Sequence, residues 1–440
     1  MRRALANGLL AAFCCLGFTG RAALTYEVLR TFRSDGTGPA YPLAGLTLGT
    51  DGNLYGTTSW DGSTNQDGTI FRITPRGAFA TLWNFQTNGR PQTKLLQGTD
   101  GNLYGTTEGG TQLTVFKFTL SGSFAMLTEF SSGYGSLGPL IEGDRGSLIS
   151  TTRSAPPGSA GAGYGSVFIY QQQGAFSGVL FFPMSSQNAA PAAGVIRASD
   201  GNFYGTTTGG WGKSTIFRLS ADGSFTNLFV FGGTNGYGTA TGLVQADDGN
   251  LYGTSLGGVF RISTNGLFTN LFQFDSATTG RSPQGSLIQG SDGALYGVNS
   301  AGGASNSGTI FRITTDGQFT TILSFDNAKG IEPLGGLVQG KDGIFYGTTS
   351  RAGPGGGGTI FRLGSNLPPI LKPISSSHGT VTLTWTSIAN RNYRVEYRTN
   401  LTASDWTLLN SAIPGTGGEV SVTDTPGNDA QRFYRVVLIP

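Results

Sequence analysis

One four-part phrase recurs seven times between Tyr26 and Leu363, and this period restricts the fold more than any single motif does. A full copy contains Asp51-Gly52-Asn53-Leu54-Tyr55-Gly56, then Gly68-Thr69-Ile70-Phe71-Arg72-Ile73, then Phe79, Leu82 and Phe85 three residues apart. A short apolar run precedes it, Gly45-Leu46-Thr47-Leu48, with counterparts such as Leu95-Leu96-Gln97, Gly242-Leu243-Val244-Gln245 and Gly336-Leu337-Val338-Gln339. Between the first and second parts a glycine stands in all seven copies, at Gly52, Gly101, Gly146, Gly201, Gly249, Gly293 and Gly343. Asp-Gly between two apolar runs signals a hairpin, because glycine supplies the positive φ that the turn needs. The turn glycines are separated by 49, 45, 55, 48, 44 and 50 residues, a spacing that fits four-stranded propeller blades and exceeds the coils of a β-helix.

The third part carries Phe71, Phe116, Phe168, Phe217, Phe260, Phe311 and Phe361, whereas only six fourth parts follow, beginning at Phe79, Phe124, Phe176, Phe225, Phe268 and Phe319. The missing seventh stands at the front of the chain as Tyr26-Glu27-Val28-Leu29-Arg30-Thr31-Phe32. The expected fold is therefore all-β. Residues 24–364 form a seven-bladed β-propeller in which residues 26–32 pair beside residues 359–363 and complete the last blade. Such closure removes the open sheet edges that invite aggregation. The 73 glycines in 440 residues, about 17% against roughly 7% in ordinary proteins, agree with many tight turns.

The Asp-Gly-Asn-Leu-Tyr-Gly-Thr-Thr and Gly-Thr-Ile-Phe-Arg-Ile segments resemble the GloVer tandem repeat of secreted bacterial proteins, across residues 26–363. That resemblance implies an exported repeat protein with a variable C-terminal module, and it implies no particular chemistry. A looser similarity, through the Asp-Gly-Asn-Leu-aromatic phrase, extends to streptogramin-lyase-like propellers. The third copy departs from the pattern as Arg145-Gly146-Ser147-Leu148-Ile149-Ser150, so any role of the repeated Asp and Tyr is missing there.

At the N-terminus, Arg2 and Arg3 precede an apolar stretch from Leu9 to Phe18 and then small residues, which is the order of a signal peptide over residues 1–23. Secretion is the expected location, whether extracellular, at the cell surface or periplasmic. Cys14 and Cys15 both lie in this segment, so the mature chain would rely on packing and not on disulfides. Losing Arg2, Arg3 and Arg21 takes the 28 basic residues down by three, against 25 acidic ones. The resulting balance lacks the basic stripe of a nucleic-acid binder, and no further apolar run is long enough for a transmembrane segment. Residues 365–369 read as a linker. Residues 370–440, with the alternation Val381-x-Leu383-x-Trp385 and Tyr393-x-Val395-x-Tyr397, read as a small β-sandwich similar to fibronectin type III or immunoglobulin-like modules, with Trp385, Trp406 and Tyr434 as core aromatics.

The repeated polar residues read as framework. Asp51, Asp100, Asp200, Asp248, Asp292 and Asp342 each bring one carboxylate to a turn, which suits capping of the turn amides better than calcium, and no metal or cofactor is expected. The basic residues Arg72, Lys117, Arg218, Arg261, Arg312 and Arg362 recur too regularly for a ligand site and should pair within the blade. His378, the sole histidine, lies in the C-terminal module, so a histidine base on the propeller is excluded. Glu108, Glu129, Glu142 and Glu332 leave open a polysaccharide-active hydrolase or lyase that uses carboxylates at the channel. Specificity is expected where repetition fails, in the loops between second and third strands and between blades. These carry Tyr41, Trp60, Tyr134, Tyr164, Trp211 and Tyr237, with Arg90, Lys94, Arg281 and Arg351, and they suit a polysaccharide or a surface protein stacked on aromatic rings. The expected function is therefore non-catalytic binding or scaffolding.

Overall fold

The computed structural model describes residues 25–62, 67–86, 89–109, 112–131, 138–154, 165–171, 176–181, 190–208, 214–220, 222–232, 238, 241–364, 374–377, 379–387, 392–400, 405–416, 419–427, 429 and 431–439. Its contacts divide the chain into two units, one of Glu27–Val338 with Phe345–Arg362, the other of Met1–Tyr26, Gln339–Ile344 and Leu363–Pro440.

Seven antiparallel sheets arise from the seven phrases, six of them with their strands in chain order. In the first, Thr47–Leu48, Leu54–Thr58, Thr69–Ile73 and Phe79–Asn84 run side by side. The second gains a short fifth strand, Arg90–Pro91, beside Leu103–Gly109. The seventh holds Leu337–Gln339, Phe345–Thr349 and Gly356–Gly364, and its fourth strand is Thr25–Arg33, at the place to which the displaced phrase points.

Two close approaches explain glycines inside and beside strands. A Cβ on Gly105 would lie 2.4 Å from Cζ of Phe116 and 2.8 Å from Leu95, and Gly56, Gly205, Gly253, Gly297 and Gly347 face Phe71, Phe217, Phe260, Phe311 and Phe361 in the same way. The phenylalanine ring thus lies over the bare backbone of its neighbour strand, filling the space a side chain would take. At the start of the third strand the close neighbour comes from the next sheet. A Cβ on Gly68 would meet Pro91 Cδ at 2.4 Å, and Gly165, Gly308 and Gly358 stand likewise against Pro191, Pro333 and Pro42. The last of these pairs joins the seventh sheet to the first.

Apolar packing follows the same succession. Tyr55, Ile70 and Phe85 of the first sheet cluster with Leu95, Leu103 and Phe116 of the second. Equivalent clusters join the second to the third, the third to the fourth, the fourth to the fifth and the fifth to the sixth. Tyr296 stands 4.2 Å from Phe345 between sixth and seventh, and Phe32 of the seventh lies 6.0 Å from Phe71 of the first. Because every sheet buries both faces, each strand needs apolar residues on alternate sides, and the second and third strands are accordingly almost wholly buried.

In the other unit, Ser375–Ser377, Thr380–Thr386 and Glu419–Asp424 form one three-stranded sheet, while Thr407–Pro414, Asn392–Arg398 and Phe433–Ile439 form a second. Leu383, Trp385, Tyr393, Val395, Ile413 and Val436 make their shared core, with Tyr434 at its margin. Trp406 departs from expectation. It is only half-buried, with the guanidiniums of Arg398 at 4.5 Å and Arg435 at 4.3 Å over its ring, and these cations cover the indole without drawing it into the core.

Candidate functional site

Antiparallel order gives every sheet two ends. At one lie the Asp-Gly turns. Asp51 Oδ1 accepts the Asn53 amide at 3.0 Å, and its Oδ2 accepts the Asn53 side-chain amide at 2.7 Å and the buried Tyr55 hydroxyl at 2.8 Å. Asp100, Asp200 and Asp248 repeat the set with Tyr104, Tyr204 and Tyr252. Burial by itself would raise the Asp51 pKa, but the hydrogen bonds from Asn53 and Tyr55 outweigh it and hold the carboxyl below its ordinary value. Burial and the neighbouring carboxylate push Tyr55 and Tyr204 in the opposite direction, each to about 12. The repeated cation completes the network in some copies, as Lys117 with Asp100 at 2.9 Å and Arg312 with Asp292 at 2.9 Å, while Arg362 pairs with Glu27 of the displaced strand at 2.6 Å. In the deviant third copy Asp144 pairs instead with Arg197 of the next sheet at 2.6 Å.

Adjacent sheets are also tied together at this end. Gln97, Gln245 and Gln289 each accept a backbone amide from the preceding sheet's turn, at 2.8, 2.7 and 3.0 Å, and Glu142 does the same for Thr99 at 2.8 Å. The carboxylates, tyrosines and glutamines here satisfy one another. Such an end is a frame.

The opposite end is built on the prolines described above. Before Pro42, Pro191, Pro283 and Pro333 stand Tyr41, Ala190, Ser282 and Glu332, with φ of 57°, 46°, 58° and 55°, a left-handed conformation that non-glycine residues seldom adopt, whereas Arg90 before Pro91 does not share it. Across from this step stands a residue near the end of the second strand or just past it, and the pair changes from sheet to sheet. In the first sheet Tyr41 stacks on Trp60, ring centroids 5.8 Å apart at 18°. In the second, Arg90 is in register with Glu108. In the sixth, Arg281 is opposite Ala301 and reaches Asn306 at 3.4 Å. In the seventh, Arg351 pairs with Glu332 at 3.5 Å. Tyr41 and Trp60 thus occupy this slot in the first sheet, Arg90 stands before Pro91 in the second and Arg281 stands one position ahead of Ser282 in the sixth, while the other aromatic candidates, Tyr134, Tyr164, Trp211 and Tyr237, lie outside the described residues.

Inside the first strands lies a cavity of about 520 Å³ whose lining draws on all seven sheets, through Gly45, Lys94, Pro139, Gly194, Gly242, Ser286 and Gly335 among others. At the innermost position, one residue before the buried aliphatic of the first strand, stand Gly45, Lys94, Pro139, Gly194, Gly242, Ser286 and Gly336. Small residues belong there because backbones meet: a Cβ on Gly45 would lie 2.0 Å from the Gly335 carbonyl oxygen. Lys94 alone is long and charged. The periodicity that makes it an exception is visible in the sequence, but only the cavity gives the exception a meaning. Glu108 is the one carboxylate among the described lining residues.

The Gloeobacter/Verrucomicrobia repeat model matches residues 18–154, 136–361 and 254–393, so the chain belongs to that repeat family. No curated protein matches it. Solved structures resemble it at low identity. A protein from Lactobacillus plantarum matches at 14% identity over 84% of this chain and 99% of its own, with a TM-score of 0.49. A gluconolactonase from Xanthomonas campestris matches at 11% over 81% and 97%, with a TM-score of 0.42, and a luciferin-regenerating enzyme at 12% over 78% and 96%, also at 0.42. The activities in those names belong to those proteins. Among the described residues no helix is long and apolar enough to cross a membrane.

Proposed function

We propose that this chain is an exported, non-catalytic binding or scaffold protein. Residues 1–23 are a signal peptide, residues 24–364 a closed seven-bladed β-propeller and residues 365–369 a linker. Residues 370–440 are a β-sandwich of fibronectin type III or immunoglobulin-like type. The mature protein works at the cell surface or beyond it, and its ligand is a polysaccharide or a surface protein that meets the proline-bearing end of the sheets.

The observation that carries this reading is the contrast in the shared slot. One position holds an aromatic stack at Tyr41 and Trp60 and an acid-base pair at Glu332 and Arg351. A constant frame that presents changing side chains is the arrangement of a recognition surface. Hydrolysis of a glycosidic bond calls for two carboxylates at a set separation, and Glu108 stands alone among the described residues of the cavity lining, which favours binding over catalysis.

A glycan array probed with the mature protein tests the reading. Retention on a polysaccharide, weakened by Trp60→Ala or Trp211→Ala with the melting curve unmoved, supports it. Equal retention by both variants removes these residues from the binding surface.

A further inference from the structure

We propose that the axial cavity is a binding site for a small, hydroxylated carboxylate of sugar-acid size, with Lys94 as its anchoring cation. This goes beyond the surface reading above and stands independently of Tyr41 and Trp60.

Three observations converge on it. First, Lys94 occupies the ring's innermost position, where the six other sheets place glycine, proline or serine. Second, its ammonium has no hydrogen bond or ion pair with any described residue. It stays half-buried because it lines the cavity, yet enough protein surrounds it for burial to push its pKa below the ordinary lysine value. Third, the cavity holds about 520 Å³, within the range of small-molecule sites, and Arg153, which also lines it, likewise has no partner among the described residues.

The charged groups among the described lining residues are therefore Lys94, Arg153 and Glu108, an excess of one positive charge. An ammonium withdrawn from water without a counter-ion is costly, whereas one paired with a carboxylate regains the lost interaction. The remaining lining suits hydroxyls. Gln92, Gln284 and Ser286 bring polar side chains, and Thr93 and Thr151 bring hydroxyls already linked to Thr106 at 2.6 Å and to the Ala193 carbonyl at 3.1 Å. Binding requires no covalent step. A carboxylate enters, pairs with the protonated Lys94, and raises its pKa back toward the solution value.

The test is calorimetric titration of the full mature protein with sodium glucuronate, against glucose at matched ionic strength. Glucuronate should bind and glucose should not. Lys94→Met should weaken glucuronate binding roughly tenfold to a hundredfold, the effect of one charge-assisted hydrogen bond, while Arg153→Gln should weaken it less. Thermal melting provides an independent readout, since glucuronate should raise the Tm of the wild type and leave that of Lys94→Met unmoved. No binding of glucuronate by the wild type, or equal affinity in Lys94→Met, would overturn the proposal, as would glucose binding equal to that of glucuronate.

Discussion

The two ends of the sheets are made by the same repeat yet obey different rules. At the Asp-Gly end, Asp51, Asn53 and Tyr55 recur with nearly the same distances as Asp248, Asn250 and Tyr252, and glutamines stitch one turn to the next. At the proline end the backbone recurs in four of the sheets, down to left-handed φ values between 46° and 58° at Tyr41, Ala190, Ser282 and Glu332, four different side chains. Repetition of side chains is what satisfies buried polar groups in one sheet after another. Repetition of backbone alone leaves the side chains free to differ, and that freedom is what recognition requires.

Removing the strand that completes the seventh sheet would break this order most severely. Deletion of residues 25–33 strips Phe32 from Phe71 and Glu27 from Arg362, and the expected result is a sharp fall in Tm with aggregation through the opened edge, read by calorimetry and light scattering. Next comes Gly105→Val, whose Cβ would lie 2.4 Å from Phe116; overpacking of this kind costs about 1–3 kcal/mol or more in a denaturant titration.

A smaller effect is expected for Tyr252→Phe at the Asp-Gly end, about 1–3 kcal/mol for the lost hydrogen bond to the Asp248 carboxylate, because Asn250 continues to hold that carboxylate. The same network sets the response to pH. Tyr55 and Tyr204 have pKa values raised to about 12 from an ordinary 10, so folding keeps their protons on. Their contribution is complete below pH 10 and is lost as pH climbs through about 12. Asp51, Asp200 and Asp248 are shifted down, so their contribution is present above the ordinary value of 3.8 and disappears in stronger acid. A stability plateau bounded at both sides is the expected melting profile, and an alkaline limb unchanged by Tyr55→Phe with Tyr204→Phe would disconnect the tyrosines from it.

Lys94→Met sharpens the contrast from the other side. It removes an ammonium that burial disfavours, so in the absence of any anion the variant should melt no lower than the wild type. The smallest effect on stability belongs to Trp60→Ala, half-buried and stacked on Tyr41, where melting should be nearly unchanged.

Much of the frame was readable from residue spacing. Asp-Gly turns, strand order, the core phenylalanines and the displaced strand all follow from a period with one term out of place, and the capping role of Asp51 follows from a single carboxylate per turn. Less was readable at the proline end. Tyr41 and Trp60 stood out as aromatics in glycine-rich loops, but nothing in their 19-residue separation says that they stack on each other. Pro42, Pro91, Pro191 and Pro333 lock four of the sheets to a glycine of the preceding one, a contact that residue spacing does not reveal because it joins different repeats. The strand-like surroundings of Trp406 point to the core, whereas two arginines from other strands decide its position.

The amino-acid sequence by itself determined the number of repeats, the local hairpins and the residues that face the interior, since these depend on alternation and on turn chemistry within a few residues. The tertiary structure alone decided which side chains meet. It placed Lys94 against a cavity lined by all seven sheets and left it without a partner among the described residues, because residues of different repeats become neighbours there only when the sheets pack around a common space.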